Sequence, residues 1–128
     1  MRLQLDALPE SQRFTRYGEG CVFWGEIRLA TPVFVGASSL ALDWRPPFTF
    51  SEWAAGEFLE LAERAESVGA EILLIGVGNT QRFPRADWLS PFFARQIGVE
   101  TMITRAACQT YNLLAGEGRA VAAALLLE

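Results

Sequence analysis

Short apolar or alternating stretches fill the first half of the chain and predict β-strands. The predicted strands span residues 2–5, 13–17, 21–29, 31–36 and 39–44. Gly18, Gly20 and the Gly25-Glu26 pair supply residues for tight reversals between them. The first half is therefore expected to form a hairpin or a meander, which ends at Pro46 and Pro47.

A helical pattern follows the two prolines, in residues 49–69. Thr49 and Glu52 have the spacing of a capping box, and Gly69 is the expected stop at the C-terminal end. Apolar residues that recur at helical spacing are Phe58, Leu61, Ala62 and Ala65. The pattern predicts an amphipathic helix.

A continuous apolar run at residues 71–78 predicts a strand that is covered on both faces, at the centre of a sheet. Ser90 and Pro91 then mark the start of a short second helix, which is expected to run to about Gln96. Residues 98–103 predict the next strand. This alternation of strands and helices is typical of a layered α/β domain.

The C-terminal quarter predicts a third helix at residues 104–115. Thr104 is its expected N-cap, and its expected buried stripe consists of Ala107, Tyr111, Leu114 and Ala115. Residues 119–127 are ambiguous, because alanine favours helix whereas an unbroken apolar run after glycine suits a buried strand. We favour the strand, which would pair with residues 71–78.

Length and charge narrow the class of protein. The 128 residues are 51% hydrophobic and 20% charged, which predicts one folded domain over residues 1–128. The net charge of -4 and the lack of lysine argue against binding to nucleic acid or anionic membranes. With neither a signal-peptide core nor a run of about 20 apolar residues, we expect a cytoplasmic protein without membrane insertion. Cys21 and Cys108 are expected to be reduced.

The sequence contains no histidine, which removes most catalytic triads and most catalytic zinc sites. Two isolated cysteines cannot complete a four-thiolate zinc site either. The sequence therefore predicts no catalytic residue, no cofactor and no metal.

The glycine-rich segment "GVGNTQ", residues 76–81, is the first candidate for chemistry. It begins like a dinucleotide fingerprint, but Gln81 stands where the third glycine would be needed. Backbone N–H groups, Thr80 and Arg82 could still meet an anion there. The alternative is a tight turn that needs glycine for its backbone angles.

Cys108 is the second candidate, because an early turn of the third helix would favour its thiolate. The alternative is that this small apolar side chain fills the core. Tyr111 and Asn112 lie three and four residues later, so they neighbour Cys108 on the helix surface. With Glu117 and Arg119, near the end of that helix, they form a third candidate set, for which a purely structural role is the alternative.

The segments "ILLIGVGNTQRFP" and "GVETMITRAACQTYNLLAGEGRAVAAALLL" resemble the Mth-type domain family of small α/β proteins. The resemblance extends from about residue 33 to the C-terminus. It implies a three-layer α/β fold with a central mixed sheet, a last strand antiparallel to the others, and an additional hairpin layer near the N-terminus. It also favours a strand for residues 119–127.

The resemblance further implies a pocket near the glycine turn and the last helix, at Gly76, Gly78, Thr104, Cys108, Tyr111 and Asn112, beside Thr80 and Arg82. Family members carry an aspartate where this chain has Ile103, so no acid-base role is carried over. The family includes an assembly factor of mitochondrial respiratory complex I. This favours a protein-interaction or assembly module with an unknown protein partner.

Two hypotheses about function therefore remain. An interaction module would use exposed aromatic residues, for which the candidates are Phe23, Trp24, Trp44, Phe48 and Trp88. The alternative for most of them is a place in the core, because aromatic side chains bury a large area. The alternative is a small-ligand (anion) binding protein or an unrecognised enzyme that uses the pocket at the glycine turn. The oligomeric state is left open by the sequence.

Overall fold

The computed structural model describes residues 8–127, so the strand predicted at residues 2–5 lies outside the described residues. The strands are β1 (Phe14–Gly18), β2 (Cys21–Trp24), β3 (Ile27–Leu29), β4 (Val33–Gly36), β5 (Ser39–Ala41), β6 (Ile72–Gly76), β7 (Gly98–Met102) and β8 (Val121–Leu125). The α-helices are α1 (Ala55–Ser67), α2 (Ser90–Ala94) and α3 (Thr104–Gly116). Short 3-10 helices span Glu10–Gln12, Phe50–Glu52 and Ala86–Leu89.

The central sheet has five strands in the order β5-β4-β8-β6-β7. β6 is parallel to β7 and β8, whereas β4 is antiparallel to β5 and β8. A central mixed sheet is thus confirmed, but the last strand is antiparallel to β4 alone, and the expected antiparallel orientation is wrong for β6 and β7. The reason is α3, which connects β7 to β8 as a crossover. Because of this helix, β8 begins at the end of the sheet where β7 also begins, and the two strands run in the same direction.

The strand predicted at the C-terminus is confirmed as β8, which lies between β4 and β6. All its residues are buried. Ala122 and Ala124 belong to the core on one face of the sheet, and Val121, Ala123 and Leu125 belong to the core on the other. Burial on both faces explains the unbroken apolar run that made this segment ambiguous.

Two hydrophobic cores lie on opposite faces of the central sheet. On one face, α1 and α2 cover Phe34, Leu73 and Ile75. On the other face, α3 and a three-stranded antiparallel sheet, β1-β2-β3, cover Val35 and Leu74. The three-layer α/β fold is confirmed, and the expected hairpin layer is this second sheet.

Several element boundaries differ from their predictions. Residues 21–29 form two strands, β2 and β3, separated by the predicted reversal at Gly25. The helix expected from Thr49 begins at Ala55, because a 3-10 turn and the extended Trp53 come first. The indole N–H of Trp53 donates to the Pro47 carbonyl at 3.0 Å. Glu57, rather than Glu52, then accepts a hydrogen bond from the Ala54 N–H at 2.6 Å.

The helix ends follow local backbone chemistry. Gly69, with φ of 72°, ends α1 as predicted, and the Ala70 N–H donates back to the Ala65 carbonyl. Ser90 is the first residue of α2 and not its cap, since Leu89 occupies the cap position. Thr104 likewise lies inside α3, with Ile103 at the cap. Between residues 8 and 127, none of the helices has the length and apolar character needed to cross a bilayer.

Candidate functional site

The glycine turn after β6 is joined to the start of α3 by the hydroxyl of Thr104. The Gly78 N–H donates to Thr104 Oγ1 at 2.9 Å, and that hydroxyl donates to the Leu126 carbonyl at 2.5 Å. The Thr104 N–H in turn donates to the Gly78 carbonyl at 2.9 Å. Thr104 is only 8% exposed. The carboxyl ends of β6 and β8 and the start of α3 therefore meet at one buried hydroxyl.

Both glycines of this turn meet a structural requirement. A Cβ on Gly76 would lie 2.9 Å from the Thr104 Cα and from Leu125 Cδ2, which leaves no room for a side chain. Gly78 has φ of 103°, in a region that favours glycine. Close contact with neighbouring atoms thus explains the glycine at position 76, and backbone conformation explains the glycine at position 78.

Cys108 and Tyr111 lie in the core between α3 and the three-stranded sheet. Burial raises the pKa of the Cys108 thiol to about 12, which favours the core-filling alternative over a thiolate. Burial also raises the pKa of Tyr111 to about 12. The Tyr111 ring makes edge contacts with Phe14 and Trp24, at centroid distances of 5.4 and 5.8 Å. Both side chains therefore pack the core in their protonated forms.

Asn112 fastens β1 to α3. Its Oδ1 accepts from the Phe14 N–H at 2.9 Å, and its Nδ2 donates to the Phe14 carbonyl at 2.7 Å. Gln109 Nε2 donates to the Tyr17 hydroxyl at 2.7 Å, and the Arg105 guanidinium lies 5.3 Å from the Tyr17 ring centroid. This face of α3 is thus occupied by the three-stranded sheet.

A cavity of about 250 Å³ lies between the β1–β2 hairpin and the start of α3. Its lining includes Tyr17, Glu19, Cys21, Asn79, Thr104, Arg105 and Leu127. The structure therefore brings Thr104 to a cavity next to the glycine turn, while Gly76 and Cys108 are buried away from it and Tyr111 borders another hollow. The lining of this cavity combines the positive charge of Arg105, at the start of α3, with the negative charge of Glu19.

The remaining pocket candidates lie on the loop that follows Gly78. Thr80 is exposed and Arg82 is half-buried. Between them, the Gln81 side-chain amide donates to the Thr101 carbonyl at 3.2 Å, so the loop folds over β7. The polar groups of the candidate set are thus spread over a buried junction, a core and an exposed loop.

A second hollow, which sequence reasoning did not identify, is an apolar groove of about 510 Å³ beside β5. Its lining residues are Leu29, Thr31, Pro32, Val33, Leu40, Ala41, Leu42, Trp44, Arg45, Pro46 and Phe48. Leu42 is 75% exposed and Phe48 is 62% exposed. We call this hollow the β5 groove. The alternation of "SLALDW" indicated a strand, but not that the chain leaves the sheet after Ala41 and exposes Leu42.

The predicted interface aromatics divide into three groups by exposure. Trp24 and Trp44 are buried in the two cores. Phe23 and Trp88 are half-buried, with the Arg16 guanidinium 4.3 Å from the Phe23 ring centroid and Trp88 stacked on the ring of Phe58. Phe48 is the member of the set that projects from the surface, at the β5 groove.

Comparisons with known proteins agree with this fold. The family described as "Protein of unknown function (DUF498/DUF598)" matches residues 14–126. NADH dehydrogenase [ubiquinone] 1 alpha subcomplex assembly factor 3 of Rattus norvegicus is 33% identical over 86 residues, which are 62% of this chain and 46% of the rat protein. The chain therefore spans about half the length of that relative.

Two solved structures resemble nearly the whole chain. A crystal structure of a Bordetella parapertussis protein has a TM-score of 0.80 and 31% sequence identity, and the match covers 91% of this chain and 95% of that one. A solution NMR structure of a Mth938-like domain from Bordetella pertussis has a TM-score of 0.78 and 28% identity, with 99% and 92% covered. The resemblance to the Mth-type family is confirmed: the chain belongs to the DUF498/DUF598 family and has a Mth938-like fold.

Proposed function

We propose that this chain acts as a single-domain protein-interaction module that serves the assembly of a larger complex. The observation that carries the proposal is the β5 groove, where Leu42 and Phe48 expose apolar side chains. Transfer of one such side chain from water into an interface contributes about 1.5–3 kcal/mol. Similarity to a protein named as an assembly factor supports the same class of function.

The chemistry of the buried side chains also favours interaction over nucleophilic catalysis. The Cys108 thiol, with its pKa raised to about 12 by burial, is a poor nucleophile at neutral pH. No histidine is present to act as its base. An assembly role requires none of this chemistry, because it depends on shape and on the groups exposed at the surface.

The test is purification of a defined complex. The tagged chain is cross-linked in its own cells, and partners are quantified by mass spectrometry against an unrelated tagged domain. The expected result is a specific partner that forms a complex of fixed stoichiometry with this chain when both are purified and mixed. If every enriched protein fails to bind in that reconstitution, the interaction function is rejected.

A second candidate function is binding of a small anion in the cavity below the β1–β2 hairpin. It is favoured by Arg105, whose charge borders the cavity at the start of α3. Isothermal titration with inorganic phosphate tests it, with Arg105→Gln as the variant and Arg119→Gln as the matched control outside the cavity. Binding that is lost in Arg105→Gln alone supports this function, and an absence of binding heat for the wild type removes it.

A further inference from the structure

The two outer strands of the central sheet differ in how their edges are protected. At β7, the exposed Glu100 adds a charge, and Gln81 donates a hydrogen bond to the Thr101 carbonyl at 3.2 Å. β5 consists of Ser39, Leu40 and Ala41, which include neither a charge nor a proline. Charges and prolines are the usual means by which proteins keep a free strand edge from pairing. The β5 edge therefore lacks both of these protections, and its short length of three residues is what limits the pairing of an added strand.

The β5 groove begins where β5 leaves its neighbour. Pairing with β4 stops at Phe34 and Ala41, and the chain then turns away. At this turn, Arg45 Nη1 donates to the carbonyls of Leu42 at 2.7 Å and Trp44 at 3.3 Å.

The shape of the groove fits an extended segment. Leu40 and Ala41 are consecutive in β5, so their side chains point to opposite faces of the sheet, yet both line the groove. The groove thus follows the strand edge from one face to the other. A segment lying in it could pair its backbone with β5 and place alternate side chains on Leu42 and Phe48.

The charge at the groove points to an acidic group in that segment. Arg45 is the charged residue among those that line the groove. The nearby Asp43 is hydrogen-bonded to Arg64, since its Oδ1 accepts from Arg64 Nη1 at 3.0 Å, and its attraction to Arg45 is the smallest of the causes that lower its pKa. The hydrogen bond from Arg64 lowers the pKa of Asp43, which keeps it ionised and paired. Within residues 8–127 the hydrogen bonds of Arg45 go to backbone carbonyls, so its charge has no bonded carboxylate.

From these observations we infer that the β5 groove binds an extended, apolar segment of a partner protein that adds alongside β5 and places a carboxylate against Arg45. This inference rests on the proposed interaction function and names the surface and the chemistry of the partner. The bound segment would bury Leu42 and Phe48 and neutralise the groove charge, which accounts for both exposed features at once.

The experiment is selection of phage-displayed random peptides on the full chain. Selected sequences are expected to alternate apolar residues and to contain an aspartate or glutamate. The strongest peptide and its amide counterpart, in which glutamine or asparagine replaces the acid, are then titrated against wild type and Arg45→Gln. Arg45→Gln should weaken the acidic peptide by about tenfold, as expected for one charge-assisted contact, and leave the amide peptide unchanged.

Leu42→Asp should abolish peptide binding, while Leu113→Asp, at another exposed leucine on α3, should retain it. Both positions are exposed, and thermal unfolding of each variant verifies the fold. The inference is overturned if no peptide is selected, if the peptides bind Leu42→Asp as well as wild type, or if Arg45→Gln affects both peptides equally. It is also overturned if Leu42→Asp converts a dimer to a monomer in analytical ultracentrifugation, since a second copy would then occupy the groove.

Reconstitution with the natural partner distinguishes a failure of this inference from a failure of the proposed function. A reconstituted complex that survives both Leu42→Asp and Arg45→Gln would keep the interaction function and reject the β5 groove as its site. Failure to reconstitute any complex would reject the interaction function itself, whatever the peptides show.

Discussion

The hydroxyl of Thr104 joins three segments that are distant in the chain. It accepts a hydrogen bond from Gly78 and donates one to Leu126, so its donor and one acceptor position are both used. Because the site is buried, water cannot replace either partner at low cost. The side chain that the sequence indicated as a helix cap thus links the segments that follow β6 and β8 to the start of α3.

Replacement of Thr104 by valine tests this role. Thr104→Val keeps the shape but leaves the Gly78 N–H and the Leu126 carbonyl without their partner, so we expect a loss of about 1–3 kcal/mol in the free energy of unfolding. Urea denaturation measures it. Thr104→Ser is the control, because it keeps the hydroxyl and should lose less. Equal losses in the two variants would show that the methyl group, and not the hydroxyl, is what matters.

Among individual residues, the sequence correctly predicted that the glycine turn and the start of the last helix lie together. Gly76, Gly78 and Thr104 do come together, because the carboxyl ends of parallel strands share one edge of the sheet. Tyr111 is buried as its place in the helical stripe predicted, but the choice between a reactive and a core Cys108 could not be made in this way, since the burial of Cys108 depends on the three-stranded sheet that covers α3. Helical spacing shows which residues share a face, but not what covers that face.

At the scale of elements, Asn112 carries the attachment of β1 to α3. Its side-chain amide satisfies both backbone groups of Phe14, as a neighbouring strand would. Asn112→Ala removes both hydrogen bonds, so we expect a loss of about 1–3 kcal/mol in stability. Hydrogen exchange of the Phe14 amide should also become faster. Gln109→Ala, which removes one exposed contact to Tyr17, should have a smaller effect. A protected Phe14 amide in Asn112→Ala would contradict this account.

The β4–β5 hairpin contains a turn that its sequence does not favour. Ala37 and Ser38 have φ of 51° and 62° between the paired residues Gly36 and Ser39. Left-handed backbone costs a residue with a side chain about 1–2 kcal/mol, and glycine avoids most of that cost.

We therefore expect Ser38→Gly to raise the free energy of unfolding by about 1 kcal/mol, measured by chemical denaturation. The matched control is Ser39→Gly, one residue later in a paired strand position, which should lower it by about 0.5–1 kcal/mol. If both variants lose stability, the positive φ at Ser38 does not strain the turn, and this prediction is wrong.

Elements with a strong periodic signal were predictable, whereas their ends and directions were less so. The buried stripe of α1 and the apolar runs of β6 and β8 follow directly from pattern. The start of α1 does not follow from pattern. The Trp53 indole donates a hydrogen bond to the Pro47 carbonyl, and the helix begins only after Trp53. The direction of β8 depends on which strands it joins, and a run of apolar residues contains no information about that.

At the scale of the whole molecule, two buried acids link stability to alkaline pH. Cys108 and Tyr111 have pKa values raised to about 12 by burial, from ordinary values of 9.0 and 10.0. Above pH 9 the unfolded chain therefore binds fewer protons than the folded one, and stability falls as pH rises. The contribution is fully present below pH 9 and is lost by about pH 12.

Urea denaturation at a series of alkaline pH values measures this dependence. The expected fall is at most about 1.4 kcal/mol per pH unit for each group. Cys108→Ala should make the slope between pH 9 and 10 shallower, whatever it does to the absolute stability, because the thiol titrates first in the unfolded chain. A slope unchanged by this substitution would exclude Cys108 as its source.

The position of β8 has a consequence for the order in which the molecule can form. β8 is the last described strand in sequence, yet it lies in the middle of the sheet, between the β4–β5 hairpin and the β6–β7 pair. During synthesis on the ribosome, both outer pairs emerge before the strand that unites them. Each then exposes an apolar face and a free edge until residues 121–125 arrive. The nascent chain is therefore most exposed to aggregation in the interval before that strand emerges and pairs with both.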